Sequence, residues 1–177
     1  MKKIENMQKY VLDLLSQGAE PKPYKKYARV QAEKGVLGQK VVTEMKNGLV
    51  ETTNVVKADE NGNTDWVVTN PTGEKYLVPH AKFIKRYEIE AGADGKHAPT
   101  GAPIDAVQIK EDISFTAPWG EEMNIKAGGF LNVSNLNDIY GIQLDEFNAT
   151  YARCNKDGIF LDADLRKAFE QEEPENE

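Results

Sequence analysis

The chain is 177 residues long, 40% hydrophobic and 29% charged, with a formal net charge of −7 at pH 7. That composition is globular, and the length suits one domain or two small ones. A single cysteine, Cys154, excludes an internal disulfide framework. No apolar run is long enough for a transmembrane helix, and one cysteine with two distant histidines offers no zinc constellation.

Met1 to Gln17 reads as an amphipathic helix. Ile4, Met7, Val11, Leu14 and Leu15 keep helical spacing, and Gly18 ends it. The stretch opens on basic residues, but Asp13 and Gln17 interrupt its apolar side, so it is no secretory signal and a cytoplasmic protein is expected. Pro21 and Pro23 then break the pattern. Lys22, Lys25, Lys26 and Arg29 interleave with Tyr24 and Tyr27, a mixture that can bind nucleic acid. The run is short and the chain acidic, and the tyrosines suit a sheet edge equally well. Nucleic acid is not an expected partner.

Two turns follow. Asn47-Gly48 between Val41–Met45 and Leu49–Val56 is a strong hairpin signal. Asp59 to Asn63 is a second turn; its glycine is misplaced for a calcium loop and no glutamate closes it. Trp66–Thr69 and Lys75–Val78 are then predicted strands about the type I turn Asn70-Pro71-Thr72-Gly73. In the second strand Tyr76 and Val78 share a face and Lys75 and Leu77 the other. Pro79 opens a short helix whose stripe is His80, Phe83 and Tyr87. Residues 89–103 are rich in Gly, Ala and Pro and read as a linker, with His97 solvated inside it.

The strand–turn–strand–helix grammar returns at Gly129 to Ala152. Phe130 stands for Trp66, Tyr140 for Tyr76, Ile142 for Val78, Leu144 for His80, Phe147 for Phe83 and Tyr151 for Tyr87. Each inward position keeps its size class without a gap, which points to an internal duplication. Arg29-Val30-Gln31 and Ala106-Val107-Gln108 are matched as first strands. Other strands are expected at Val107–Ile109, Ile113–Thr116 and Met123–Ile125, with a turn at Pro118-Trp119-Gly120. Trp119 on that turn is either a binding anchor or a lid on its own core. Asp162 caps a last helix from Ala163 to about Gln171 with the stripe Leu161, Leu165, Phe169, and an acidic tail follows.

Tyr24 to Tyr27, Val30-Gln31, Thr64-Asp65-Trp66, Gly73-Glu74-Lys75-Tyr76, Phe83 and Tyr87-Glu88 together resemble the small bacterial and phage proteins of PGDYG type. Asp105 to Gln108, Gly128-Gly129-Phe130, Asp138-Ile139-Tyr140 and Phe147 to Tyr151 resemble them a second time. Both copies depart at the namesake turn, reading Thr-Asp-Trp and Gly-Gly-Phe. The resemblance implies a fold unit and a phage or mobile-element setting, and it carries no catalytic residue.

The expected fold is α+β. Two tandem β-rich modules, each a twisted antiparallel sheet or partial barrel closed by a short helix, occupy residues 24–88 and 104–152. The N-terminal helix takes 1–20, and a C-terminal helix with its tail takes 153–177. No phosphate loop, nucleophile elbow or dinucleotide fingerprint is present. His80 is expected to pack, Cys154 to behave as a small buried hydrophobe, and the acid pairs Glu121-Glu122 and Asp145-Glu146 to be surface charge. No cofactor or metal is expected. The favoured function is a non-enzymatic interaction protein that occupies an unidentified protein partner, with no membrane contact. The alternatives are a protein that sequesters a nucleotide-like molecule in a cleft lined by Tyr76, Tyr140 or Trp119, a virion or assembly component, and an enzyme with a dispersed site. The last would need a cleft with clustered Asp, Glu or His from both modules.

Overall fold

The computed structural model describes residues 1–44 and 50–174. In chain order its elements are β1 (Lys2–Lys3), α1 (Met7–Ser16), β2 (Lys22–Lys26), β3 (Gln31–Lys34), β4 (Lys40–Glu44) and β5 (Val50–Val55). There follow β6 (Trp66–Thr69), β7 (Lys75–Val78), α2 (His80–Arg86), β8 (Ile104–Gln108), β9 (Ile113–Thr116) and β10 (Glu122–Ile125). The last are β11 (Phe130–Asn132), β12 (Tyr140–Ile142), α3 (Leu144–Thr150), β13 (Tyr151–Arg153) and α4 (Ala163–Ala168). The fold is α+β and dominated by small sheets, and no sheet among the described residues closes into a barrel. No helix among them is long and apolar enough to cross a membrane.

Two strand–strand–helix corners share one construction. In the first, β6 pairs antiparallel with β7 and Trp66 stands opposite Val78. In the second, β11 pairs antiparallel with β12 and Phe130 stands opposite Ile142. The helix that follows each pair drives a phenylalanine onto the strand aromatic. Phe83 stacks on Trp66 with centroids 4.1 Å apart and planes 10° apart. Phe147 stacks on Phe130 at 3.8 Å and 12°. One turn later Tyr87 and Tyr151 extend the stacks, at 5.2 and 5.0 Å. Each of these tyrosines ends its helix with its backbone N–H on the carbonyl of the phenylalanine four residues before it. Burial of such rings dominates the local energetics.

The first turn forms as read: Asn70 O accepts from Gly73 N at 2.9 Å and its side chain accepts from Thr72 N at 3.1 Å. The Asn47-Gly48 turn lies outside the described residues, though the strands flanking it, β4 and β5, pair antiparallel.

Long-range pairing departs from the sequence reading in three places. Lys22–Lys26, of which 24–26 were assigned to the first module, lies in the other sheet, between β8 and β13. Residues 97–99, read as linker, take the corresponding place in the first half: His97 bridges Val30 and Pro99 bridges Tyr87. Each half is thus completed by the segment that precedes the other's first strand. His97 is therefore buried, not solvated, with its ring edge-on to Trp66 and Phe83 and its Nδ1 bonded to Glu88 O at 2.8 Å. Tyr24 meets Phe130 and Phe147 edge-on in the same way. Third, pairing sets Lys34 opposite Trp66 and Gln108 opposite Phe130, so Gln31–Lys34 matches Asp105–Gln108. The shared Val-Gln letters had suggested a register three residues away.

The termini differ less. Lys2–Lys3 pairs parallel with β9, and the helix begins only at Met7 because the Asn6 side chain caps Lys9 N at 3.0 Å. Val11 then anchors α1 on a core of Ile109, Ile113, Phe115, Ile125 and Leu131. At the other end Asp162 caps Leu165 N, but α4 stops at Ala168, short of the expected Gln171. Phe169 packs against Phe160 of the same chain, while Leu161 is exposed.

Candidate functional site

A cavity of about 350 Å³ lies between the two corners, at the small end of the range for ligand pockets. The first corner gives it Glu74, Tyr76, Leu77, Val78, Lys82 and Arg86; the second gives Asp138, Tyr140, Gly141, Ile142, Glu146 and Tyr151. Tyr76, Tyr140 and Trp119, the three residues singled out in the sequence, all line it. Tyr76 and Tyr140 reach it because each stands two residues before the Val78 or Ile142 that faces the strand aromatic, so the hairpin register that builds the corner also aims the phenol. Trp119 stands at the rim on its turn, 44% exposed, with its ring 6.4 Å from that of Tyr140.

Lys26 occupies the floor. Strand alternation puts it on the same face of β2 as Tyr24, which is committed to Phe147. Its ammonium donates to the Tyr87 hydroxyl and, at 3.3 Å, to Tyr76 Oη. It also lies over the rings of Tyr76, Tyr87 and Tyr151 at 5.6, 5.0 and 5.5 Å, a cage suited to a cation. In the sequence Lys26 stood out only as part of a short basic and aromatic run. Strand alternation was the available signal, and it needed the knowledge that Tyr24 points inward.

Glu146 is the second correction. Read as half of a surface acid pair, it is only 7% exposed, and Asp145 alone faces out. Glu146, Phe147 and Thr150 fall on one helical arc, which was the signal available. Thr72 Oγ1 donates to Glu146 Oε2 at 3.2 Å, joining the two halves. Burial holds the Glu146 carboxyl above its ordinary range, and Lys26 pulls in the opposite sense. Burial, then neighbouring phenols, likewise push Tyr76 and Tyr151 well above the usual phenol range. Both are neutral hydrogen-bonding groups near pH 7, not phenolate nucleophiles.

His80, as expected, packs at the helix start, where its Nδ1 accepts the Trp66 indole N–H at 3.0 Å. Cys154 is buried, and burial raises its thiol. Among the described residues no group of three or more His, Cys, Asp or Glu is placed to hold a metal.

A second hollow, about 710 Å³, lies between α1 and β8. Several of its charges satisfy one another: Glu111 meets Lys2 at 3.4 Å and Tyr10 Oη at 3.2 Å. Burial, with Glu111, pushes Tyr10 up to about 12. The first cavity differs. Among the described residues, the side chains of Lys57, Lys82 and Arg86 on one wall and of Glu121 and Asp138 on the other make no hydrogen bond or ion pair.

Fold and cavity define a small β-dominated α+β protein with an aromatic-walled cleft between two like corners. No family model, curated protein or solved structure matches the chain.

Proposed function

We propose that this chain binds a small, planar, anionic molecule of nucleotide type in the cavity between its corners. The observation that carries this reading is the gathering of Tyr76, Trp119 and Tyr140 around one cavity together with Lys57, Lys82 and Arg86. Aromatic rings stack nucleobases at about 1–3 kcal/mol per base, and cations with no partner among the described residues meet phosphate. The reading takes the corners as two tandem modules that have exchanged one strand each. Its support is the matched register, matched ring stacks and matched edge-on fillers Tyr24 and His97. The PGDYG-type resemblance of residues 24 to 152 adds a phage or mobile-element setting, in which sequestering a signalling nucleotide is a coherent role.

A thermal-shift screen with nucleotides tests the reading. A specific ligand at a hundred times its Kd stabilises the fold by about 2.7 kcal/mol and raises Tm; a flat response to the whole panel would remove the reading.

One observation favours a second reading, an enzyme. The cavity gathers carboxylates from both halves, Glu74 and Glu146 among them, and burial keeps Glu146 inclined to hold a proton. Chromatography of the nucleotide after incubation separates the two: recovery unchanged supports binding, conversion supports turnover. The protein-partner reading has exposed Val36 and Leu37 beside β4 in its favour, and pull-down from a bacterial lysate tests it.

A further inference from the structure

Both signs of charge line each side of the cavity, Asp65 and Glu74 in the first half and Lys26 and Glu146 in the second included, but the charges that bond to no described residue are divided between the halves. Lys57, Lys82 and Arg86 stand on the first wall, Glu121 and Asp138 on the second. No pair across the gap comes within ion-pairing distance, and none of the five is neutralised elsewhere among the described residues. Opposite charges that line one cavity without pairing leave both signs available to a bound molecule. The aromatic pair Trp119 and Tyr140 sits on the acidic side.

We infer that the ligand lies across the cavity with a fixed polarity: its phosphate on Lys82 and Arg86, and its base against Trp119 and Tyr140 with a donor edge turned to Glu121 and Asp138. This rests on the ligand reading above and narrows it. Carboxylates accept and cannot donate, so they select a base by its N–H groups. Guanine presents an adjacent imino N–H and amino group, the two-donor fork that a carboxylate takes bidentately. Adenine and cytosine offer an amino group beside an acceptor, and uracil one imide N–H between two carbonyls. The predicted class is a guanine nucleotide.

Calorimetric titration with GMP, guanosine, AMP, CMP and UMP tests this on the full chain. GMP is expected to bind about tenfold or more tighter than AMP or UMP, in keeping with the discrimination good base contacts supply. The double variant Glu121→Gln/Asp138→Asn should abolish that preference while retaining binding. Lys82→Ala/Arg86→Ala should weaken GMP to the affinity of guanosine. All five side chains lie at least partly in solvent, and circular dichroism confirms that each variant is folded. Equal affinity for every nucleotide overturns the base assignment and leaves the cavity reading standing. Guanosine binding as tightly as GMP overturns the phosphate assignment. Absence of binding by any of the five removes the cavity reading itself.

Discussion

The two corners bury the same aromatic stack and dress it differently. Phe83 on Trp66 and Phe147 on Phe130 are nearly superposable in geometry. Around them the first corner has His80 and Lys82 where the second has Leu144 and Glu146. Leu77 in the first fills an apolar cluster with Val41, Val56 and Val67. Its counterpart Gly141 leaves room that Ile125 occupies. The stack is therefore what builds a corner, and the surrounding positions are free to set the charge and shape of the cavity between them.

The largest effect should come from the stack. Phe83→Ala and Phe147→Ala should each cost roughly 3–5 kcal/mol, as truncation of a fully buried ring does. Urea denaturation checks this, and a cost confined to one corner would break the likeness. Gly141→Ala comes next. Its methyl would meet the buried Ile125 side chain, and overpacking costs about 1–3 kcal/mol. Gly141→Ala combined with Ile125→Val should recover part of that loss.

His80→Leu copies the second corner onto the first. It leaves the Trp66 indole N–H, bonded to His80 at 3.0 Å, without its partner, a loss of about 1–3 kcal/mol on burial. Trp66→Phe/His80→Leu recreates the Phe130 and Leu144 pair and should cost less than the sum of the single changes in a double-mutant cycle.

The smallest effect is read by its sign. Burial raises Glu146 above its value in the unfolded chain, so the folded state holds this proton more tightly. The associated stability is complete below the unfolded pKa and is lost as pH rises through the folded one. Glu146→Gln should flatten the fall in stability above about pH 4.5. Equal slopes in wild type and variant between pH 4 and 7 would show that this carboxyl is not perturbed.

What could be read from the sequence was local. The turn at Asn70 to Gly73, strands of four residues on either side of it, and the Phe–Tyr spacing of each helix all follow from contacts a few residues apart. The long-range pairing could not be read, because whether Lys22–Lys26 pairs with Ile104 or with Val30 is decided by partners about eighty residues away in one case and near at hand in the other. The burial of His97 followed from that pairing and was hidden with it. Lys26 and Glu146 were misplaced for a related reason: a charged residue counts as surface until the aromatic cage or the opposite half that receives it is known. The Val30 register went astray because identical letters outweighed the alternation that pairing obeys.

The cavity is tested most directly by the tryptophan on its rim. Trp66→Phe leaves Trp119 as the sole indole, 44% exposed beside Tyr140. Titrating this variant with GMP should quench and blue-shift Trp119 emission along a saturable curve as the base stacks and water leaves. Emission that stays constant after correction for absorbance, at nucleotide concentrations up to the millimolar range, would contradict a ligand site between the corners.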